Sequence, residues 1–389
     1  MAVMADRLTQ IPPYLFMELR KKITAAKSQG IDVISLAIGD PVEPSPPGVI
    51  RVLKDEAEKK ANHCYPIDEE KGMLAFRKAV AKWYKRKYKV KLNPEKDVLG
   101  LIGSKEGVHH FMMGCVNPEE TVIMTDPGYP AYRANILMAG AKPYSAPILY
   151  DNGYLPVLDD IPSDVLKTCK AIFLNYPNNP TGSCATMEFF THLVNWAKDN
   201  RILIVHDNPY GEIVFDDQER ISLMQVPGAK DVAVEFNSLS KPFNMTGWRI
   251  GMAVGHPDII SVMSKVKENI DSGIFNPIQY AAIHALENED SHTRKMLEIY
   301  ARRRARVLGV FRDIGISCDN IGKGTFYIWM PTPDEMLSAD FADQLFDKSH
   351  VVVTPGAAYG QYGEGFFRIS LTVPDDRLDT ALERIKKNY

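Results

Sequence analysis

No apolar run in this 389-residue chain approaches the roughly 20 residues needed to cross a bilayer. The N-terminus, Met-Ala-Val-Met-Ala-Asp-Arg, lacks the apolar core of a signal peptide. Cysteine is scarce, with five residues (Cys64, Cys115, Cys169, Cys184 and Cys318) and no C-x-x-C spacing, which argues against a disulfide framework and a zinc cluster and for a cytoplasmic protein with reduced thiols. H-E-x-x-H is absent, and the adjacent His109 and His110 would point in different directions on a helix, so no metal is expected. Neither G-x-x-x-x-G-K-[ST] nor a strand running into G-x-G-x-x-G occurs, which removes support for a nucleotide cofactor. A net charge of −3 gives no broad attraction to nucleic acid or to a membrane surface, and the short basic runs 85–91 and 302–306 read as solvated helix faces.

What the chain does have is concentrated in one stretch, Asn237-Ser-Leu-Ser-Lys-Pro-Phe-Asn-Met-Thr-Gly-Trp-Arg-Ile-Gly251. An apolar strand (232–236) leads into Ser238, Ser240 and Lys241, and Arg249 stands just before a second strand at 250–255. A lysine at the mouth of a buried site is the side chain that forms a Schiff base, because desolvation and nearby positive charge lower its pKa. Arginine offers a fork that matches two phosphate oxygens, and serine hydroxyls add donors. A lone Lys–Arg pair is more often a solvated lysine and an arginine in a surface ion pair, so the stretch gains meaning only from the rest of the chain.

Short β-branched runs at 98–102, 121–124, 171–174 and 202–205 alternate with helix-length segments, the pattern of a mainly parallel sheet covered on both faces. In such an α/β sheet, ligands lie beyond the carboxyl ends of the strands. Those ends carry Gly103-Ser104-Lys105, Tyr129, Asn179, Asp207, Tyr210 and Lys241, which are expected to converge on one crevice. A turn at Gly39-Asp40-Pro41, after a strand at 32–38, leaves backbone amides free to meet a ligand. The turn 103–107 is expected to open a helix from 108 to 116 and to favour an anion. The length predicts two domains: an arm and part of a small unit at 1–47, a large unit at 48–288, and a smaller α+β unit at 289–389 with strands at 324–330 and 351–354.

Each crevice residue has a chemical use beside a plainer one. Asp207 could cap a helix, or hold a pyridinium nitrogen in its charged form. Tyr210 and Asn179 could bond a phenolate oxygen on the same ring, and Tyr129 could stack on its face, although tyrosines in such loops more often just pack. Arg249, Ser238, Ser240, Ser104 and Lys105 would hold a phosphate. Arg368 follows an apolar segment and should face inward, where an arginine needs a partner, so it is a candidate for pairing with a substrate carboxylate. Ring, aldehyde, phosphate and carboxylate together describe pyridoxal 5′-phosphate acting on an amino acid.

The motifs Asn178-Asn-Pro-Thr-Gly182, Asp207-x-x-Tyr210, Ser238-x-Ser-Lys241, Gly247-x-Arg249-x-Gly251 and Phe367-Arg368 resemble the class I/II aminotransferases of fold type I, from about residue 8 to the C-terminus. A finer match, in segments 12–16, 38–41, 103–107, 126–130, 238–251 and 271–275, is similar to the LL-diaminopimelate aminotransferases; Pro209 and Asn276 depart from that pattern. The resemblance implies amino transfer between LL-diaminopimelate and 2-oxoglutarate in lysine biosynthesis, with Lys241 carrying the cofactor and moving the proton. It further implies a homodimer in which Tyr65 reaches the neighbour's phosphate, with Gly39, Asn179 and Arg368 beside the substrate and Tyr14 and Lys105 near its far end. Rival readings keep the cofactor and change the reaction, to a carbon–sulfur lyase or to an alanine, aspartate or aromatic aminotransferase. A non-enzymatic regulator binding the same cofactor is the remaining alternative.

Overall fold

The computed structural model describes residues 3–11, 15–66 and 68–389, with the backbone alone over 15–20. Seven strands form the main sheet: β2 (Val98–Leu101), β3 (Thr121–Asp126), β4 (Lys142–Pro147), β5 (Cys169–Asn175), β6 (Leu203–Asp207), β7 (Ala233–Ser238) and β8 (Gly251–Gly255). Their order is β2-β8-β7-β6-β5-β3-β4, and only β8 runs against the others. The α/β class read from the sequence is thus the fold observed. β4 escaped the sequence reading because Lys142, Pro143 and Ser145 break the apolar run of this edge strand.

Alternation within the strands explains why both faces are covered. Ile123, Ile172, Leu174 and Ile204 point to one side, where they pack with the helices Leu74–Tyr88, Met187–Asn200 and Asn276–Asn288. Val122, Phe173, Val205 and Phe236 point to the other, against the helices Ser104–Cys115, Ala131–Met138 and Pro257–Glu268. Successive side chains on a strand face opposite ways, so each strand feeds two cores.

A further apolar cluster joins the 24-residue helix Asp290–Asp313 to the helices Ser338–Ser349 and Asp375–Asn388. Beside them lies an antiparallel sheet of β11 (Thr354–Pro355), β12 (Phe366–Ser370) and β9 (Tyr327–Pro331). The chain's first strand, β1 (Ile34–Ser35), pairs in parallel with β10 (Val351–Val352). The strand expected over 32–38 is therefore only two residues long, and that expected over 351–354 is split between two partners.

The helix expected from 108 begins at Ser104 instead. Gly107 is no part of a turn: a Cβ there would lie 2.8 Å from Leu101 Cδ1, so glycine lets the helix lie close on the sheet. No helix among the described residues is long and apolar enough to cross a membrane.

Candidate active site

Beyond the carboxyl ends of the parallel strands lies a cavity of about 520 Å³. Gly39, Ser104, Lys105, Tyr129, Asn179, Asp207, Tyr210, Ser238, Ser240, Lys241, Arg249 and Arg368, all singled out from the sequence, line it. Two candidates do not join them. Tyr65 stands on the surface, 79% exposed, and Tyr14 lies outside the described residues.

Asp207 ends β6 and is buried, and Tyr132 donates its hydroxyl to Asp207 Oδ2 at 2.8 Å. Oδ1 is buried with no hydrogen-bond partner among the described residues. Burial pushes the carboxyl up to about 6, against the opposing pull of the Tyr132 and Ser104 hydroxyls and the His206 ring. A buried acceptor without a donor is costly, and a protonated ring nitrogen would supply one. Asn175 fixes the backbone around it: Nδ2 donates to the Asp207 carbonyl at 2.7 Å, and Oδ1 accepts from the Asn179 amide at 2.7 Å.

Lys241 extends from the turn after β7 and donates Nζ to the Gly39 carbonyl at 3.0 Å. Its pKa falls to about 8, chiefly by desolvation; Asp40 opposes the shift, while Arg249 and Arg368 reinforce it. A larger share of neutral amine then exists near physiological pH, which is what a nucleophile or proton carrier requires.

An anion cradle lies at the other end of the cavity. Gly103 (φ +105°) opens the Ser104–Cys115 helix, and a Cβ on it would come within 2.4 Å of Arg249 Nη2. Glycine lets the guanidinium close over the positive end of the helix. Arg249 adopts φ +55° and is braced by Nη1 donating to the Thr246 carbonyl at 2.9 Å. The Ser238 and Ser240 side chains complete the wall.

Arg368 is fully buried on β12, donating Nη1 to Asn179 Oδ1 and Nη2 to the Ala37 carbonyl, each at 2.6 Å. Its guanidinium lies 3.8 Å from the centre of the Tyr327 ring. For the phosphorylated pyridine aldehyde expected from the sequence, these residues fit: an acceptor for the ring nitrogen, an amine, a cationic cradle and a second guanidinium for a carboxylate.

Sequence reasoning missed Ile38, Asp40, Tyr132, Asn175, Thr246 and Tyr327, which also line the cavity, as does Pro209, noted from the sequence as a departure from the family pattern. Tyr132 was findable as the second tyrosine of Asp126-Pro-Gly-Tyr-Pro-Ala-Tyr132, three residues after Tyr129. For Tyr327 no signal existed, because nothing in Thr-Phe-Tyr says which ring faces the site. Apart from the cavity, Glu106, His110 and Asp271 form the cluster nearest to a metal site among the described residues, but its carboxylates already bond Lys267 Nζ, at 2.9 Å from Glu106 Oε1 and from Asp271 Oδ1.

The profile of the family described as aminotransferase class I and II matches residues 31–385. A protein from Aquifex aeolicus named LL-diaminopimelate aminotransferase is 47% identical over 382 residues, covering 98% of each chain. One of the same name from Halothermothrix orenii is 46% identical over 384 residues, covering 99% of this chain and 98% of that one. Among solved structures, substrate-bound BacF from Bacillus subtilis superposes with a TM-score of 0.94 at 33% identity, over 100% of this chain and 98% of that one. Aspartate aminotransferase from Thermus thermophilus (a single mutant) shares the fold with a TM-score of 0.92 at 24% identity, over the whole of both chains.

Proposed function

Because the chain belongs to the class I and II aminotransferases and is a pyridoxal 5′-phosphate-dependent transaminase, we propose that it moves an amino group between LL-diaminopimelate and 2-oxoglutarate. The observation that carries this substrate reading is full-length identity of 44–47% to proteins bearing that one activity in their names. The place of such a reaction is lysine biosynthesis, and the compartment we propose is the cytoplasm.

When bound, the cofactor supplies an aldehyde that captures the amino group and a ring that accepts the electron pair from the substrate α-carbon. The chain's own residues do the rest. Lys241 carries the cofactor and, once displaced, takes up and returns a proton at Nζ, a role suited to its pKa of about 8. Asp207 Oδ1 receives the ring N–H, with Tyr132 fixing the other oxygen. Tyr210 and Asn179 address the ring oxygen, Tyr129 its face, and Ser104, Lys105, Ser238, Ser240 and Arg249 the phosphate. Arg368 pairs with the α-carboxylate, whose two oxygens match its fork. Gly39 places a carbonyl beside the reacting amine, and Tyr14 and Lys105 are assigned to the far end of the substrate.

The working unit in this reading is a homodimer, with Tyr65 serving the neighbour's phosphate. Its support is that Tyr65, Ile270 and Phe275 are 79, 58 and 42% exposed, and that the His63 and Phe275 rings lie 6.0 Å apart. A fully active monomer in dilute sedimentation would contradict it. The division into units at 1–47, 48–288 and 289–389 belongs to the same proposal.

An absorbance titration of the holoenzyme tests the substrate. LL-diaminopimelate and glutamate should convert the bound cofactor to its amine form in preference to alanine, aspartate and aromatic amino acids. Equal or better conversion by those competitors discards the LL-diaminopimelate reading, and keto-acid release without an added 2-oxo acid would indicate a carbon–sulfur lyase.

A further inference from the structure

Tyr327, on β9, is buried at the meeting point of three parts of the cavity, and no role has yet been given to it. The Arg368 guanidinium lies over its ring, with Cζ 3.8 Å from the ring centre, nearer than to the Tyr359 ring at 4.9 Å. Its hydroxyl accepts a hydrogen bond from Tyr210 at 3.3 Å. That same hydroxyl is pressed against Gly39: a Cβ built there would lie 1.8 Å from it. Gly39 in turn gives its carbonyl to Lys241 Nζ.

We propose that Tyr327 is a positioning residue for the substrate carboxylate, its ring fixing the plane of Arg368 while its hydroxyl meets Tyr210 and the Gly39 strand end. This rests on the reading of Arg368 as the carboxylate anchor.

The physical argument begins with what a buried guanidinium needs. Arg368 is held at the tips of its fork by Asn179 and by the Ala37 carbonyl, contacts within its own plane. In-plane bonds do not stop the group from tilting, whereas a ring over its face does, and the same contact is attractive, most strongly in a desolvated place. A two-pronged bond to a carboxylate depends on that plane, so a tilted fork would bind with one prong. The backbone holds Tyr327 in turn: Ser370, two residues past Arg368 on β12, is its register partner, and its amide donates to Thr325 Oγ1 at 2.9 Å. The closeness of the hydroxyl to Gly39 gives a reason for glycine there: any side chain would push the ring off the guanidinium.

Three variants separate ring from hydroxyl. Tyr327→Phe keeps the ring, Tyr327→Leu removes it, and Gly39→Ala displaces it without altering it. The probe is 2-hydroxyglutarate, which carries the α-carboxylate but has no amine or ketone to react, with its Kd on the holoenzyme measured by calorimetry. The expected result is weakening by about 3- to 30-fold in Tyr327→Leu and Gly39→Ala, the fold-change equivalent of the stacking contact, with Tyr327→Phe close to the parent and cofactor content unchanged in all three. The absorption maximum of the bound cofactor should move in Tyr327→Phe and Tyr327→Leu, because the Tyr210 hydroxyl, which addresses the ring oxygen, loses its hydrogen-bond partner in both. KM for amino acid and 2-oxo acid should rise together in Tyr327→Leu with kcat less affected. An unchanged Kd in Tyr327→Leu, or equal weakening in Tyr327→Phe, overturns the proposal. So does a Tyr327→Leu protein that loses cofactor while keeping its Kd, since the residue would then serve the cofactor cradle. Arg368→Lys run beside them tells the two readings apart: if it leaves the Kd untouched, the carboxylate anchor itself is wrong and this proposal falls with it.

Discussion

Tyr132 donates its hydroxyl to Asp207 Oδ2 at 2.8 Å, both groups buried, and so leaves Oδ1 as the oxygen that must find its donor in the cavity. Burial and the charge of Asp207 push the phenol's ionisation well above its ordinary range, so Tyr132 acts as a donor at every working pH. Asp207→Asn removes the charge that holds a protonated ring nitrogen. It should lower kcat by about 100-fold or more, the usual effect of losing one preorganised charge-stabilising group, with cofactor still bound. Tyr132→Phe should produce a smaller loss of the same kind. Stopped-flow measurement of the first half-reaction checks both, and an Asp207→Asn enzyme of normal rate would remove Asp207 from its role.

The depressed pKa of Lys241 can be read directly in the cofactor-free protein. Only the neutral amine captures an aldehyde, so the rate of covalent capture of added pyridoxal phosphate should rise with pH and level off above about 8, rather than climbing toward the ordinary lysine value of 10.5. Lys241→Ala should show no covalent capture and no turnover. A midpoint near 10 would mean that desolvation does not act on this amine.

Arg368→Lys keeps the charge and loses the fork. A charged hydrogen bond contributes about 1.5–3 kcal/mol, so KM for amino acid and 2-oxo acid should rise by about 10- to 100-fold with the cofactor's absorbance unaltered. A variant that loses its cofactor instead would place Arg368 in the cradle.

Away from the cavity, the buried ammonium of Lys267 ties Glu106 to Asp271, and Glu106 Oε1 also meets His110 Nε2 at 2.9 Å. Although burial works against it, His110, Asp271 and Lys267 hold the Glu106 carboxyl at about 2. A carboxyl with a folded pKa below its unfolded value of about 4.3 stabilises fully above roughly pH 5 and loses that contribution as pH falls toward 2. Asp271 is shifted upward, chiefly by burial and also by its hydrogen bond with Glu106, so comparing the parent with Glu106→Gln reads the two carboxyls together. The gap between their melting temperatures should close as pH drops from 5 to 2; a constant gap would show that the group is not ionised through the pair.

Much of this site was legible in the sequence because its parts stand at strand ends, where an apolar run stops and a polar residue follows. Asp207, Asn179 and Lys241 all carry that signature, and the cavity does gather them. What stayed hidden needs three dimensions. The two-residue strands β1 and β10 pair with each other from opposite ends of the chain, too short for either to show a period of its own. Gly107 reads as a turn residue but is a contact residue, a difference set by a sheet that lies elsewhere in the chain. Tyr327 gains its place from its pairing with β12, roughly 40 residues downstream.

Arg368 bonds Ala37 near the start of the chain and Asn179 near its middle, while the residues around the anion cradle all fall between 103 and 249. The two halves of the site therefore draw on different stretches of the chain. A polypeptide ended after β8 would hold every cradle residue named above but lack Arg368. In the proposed reading, the choice of amino acid thus depends on both ends of the chain, which pair at β1 and β10, whereas the anion cradle is built from its middle.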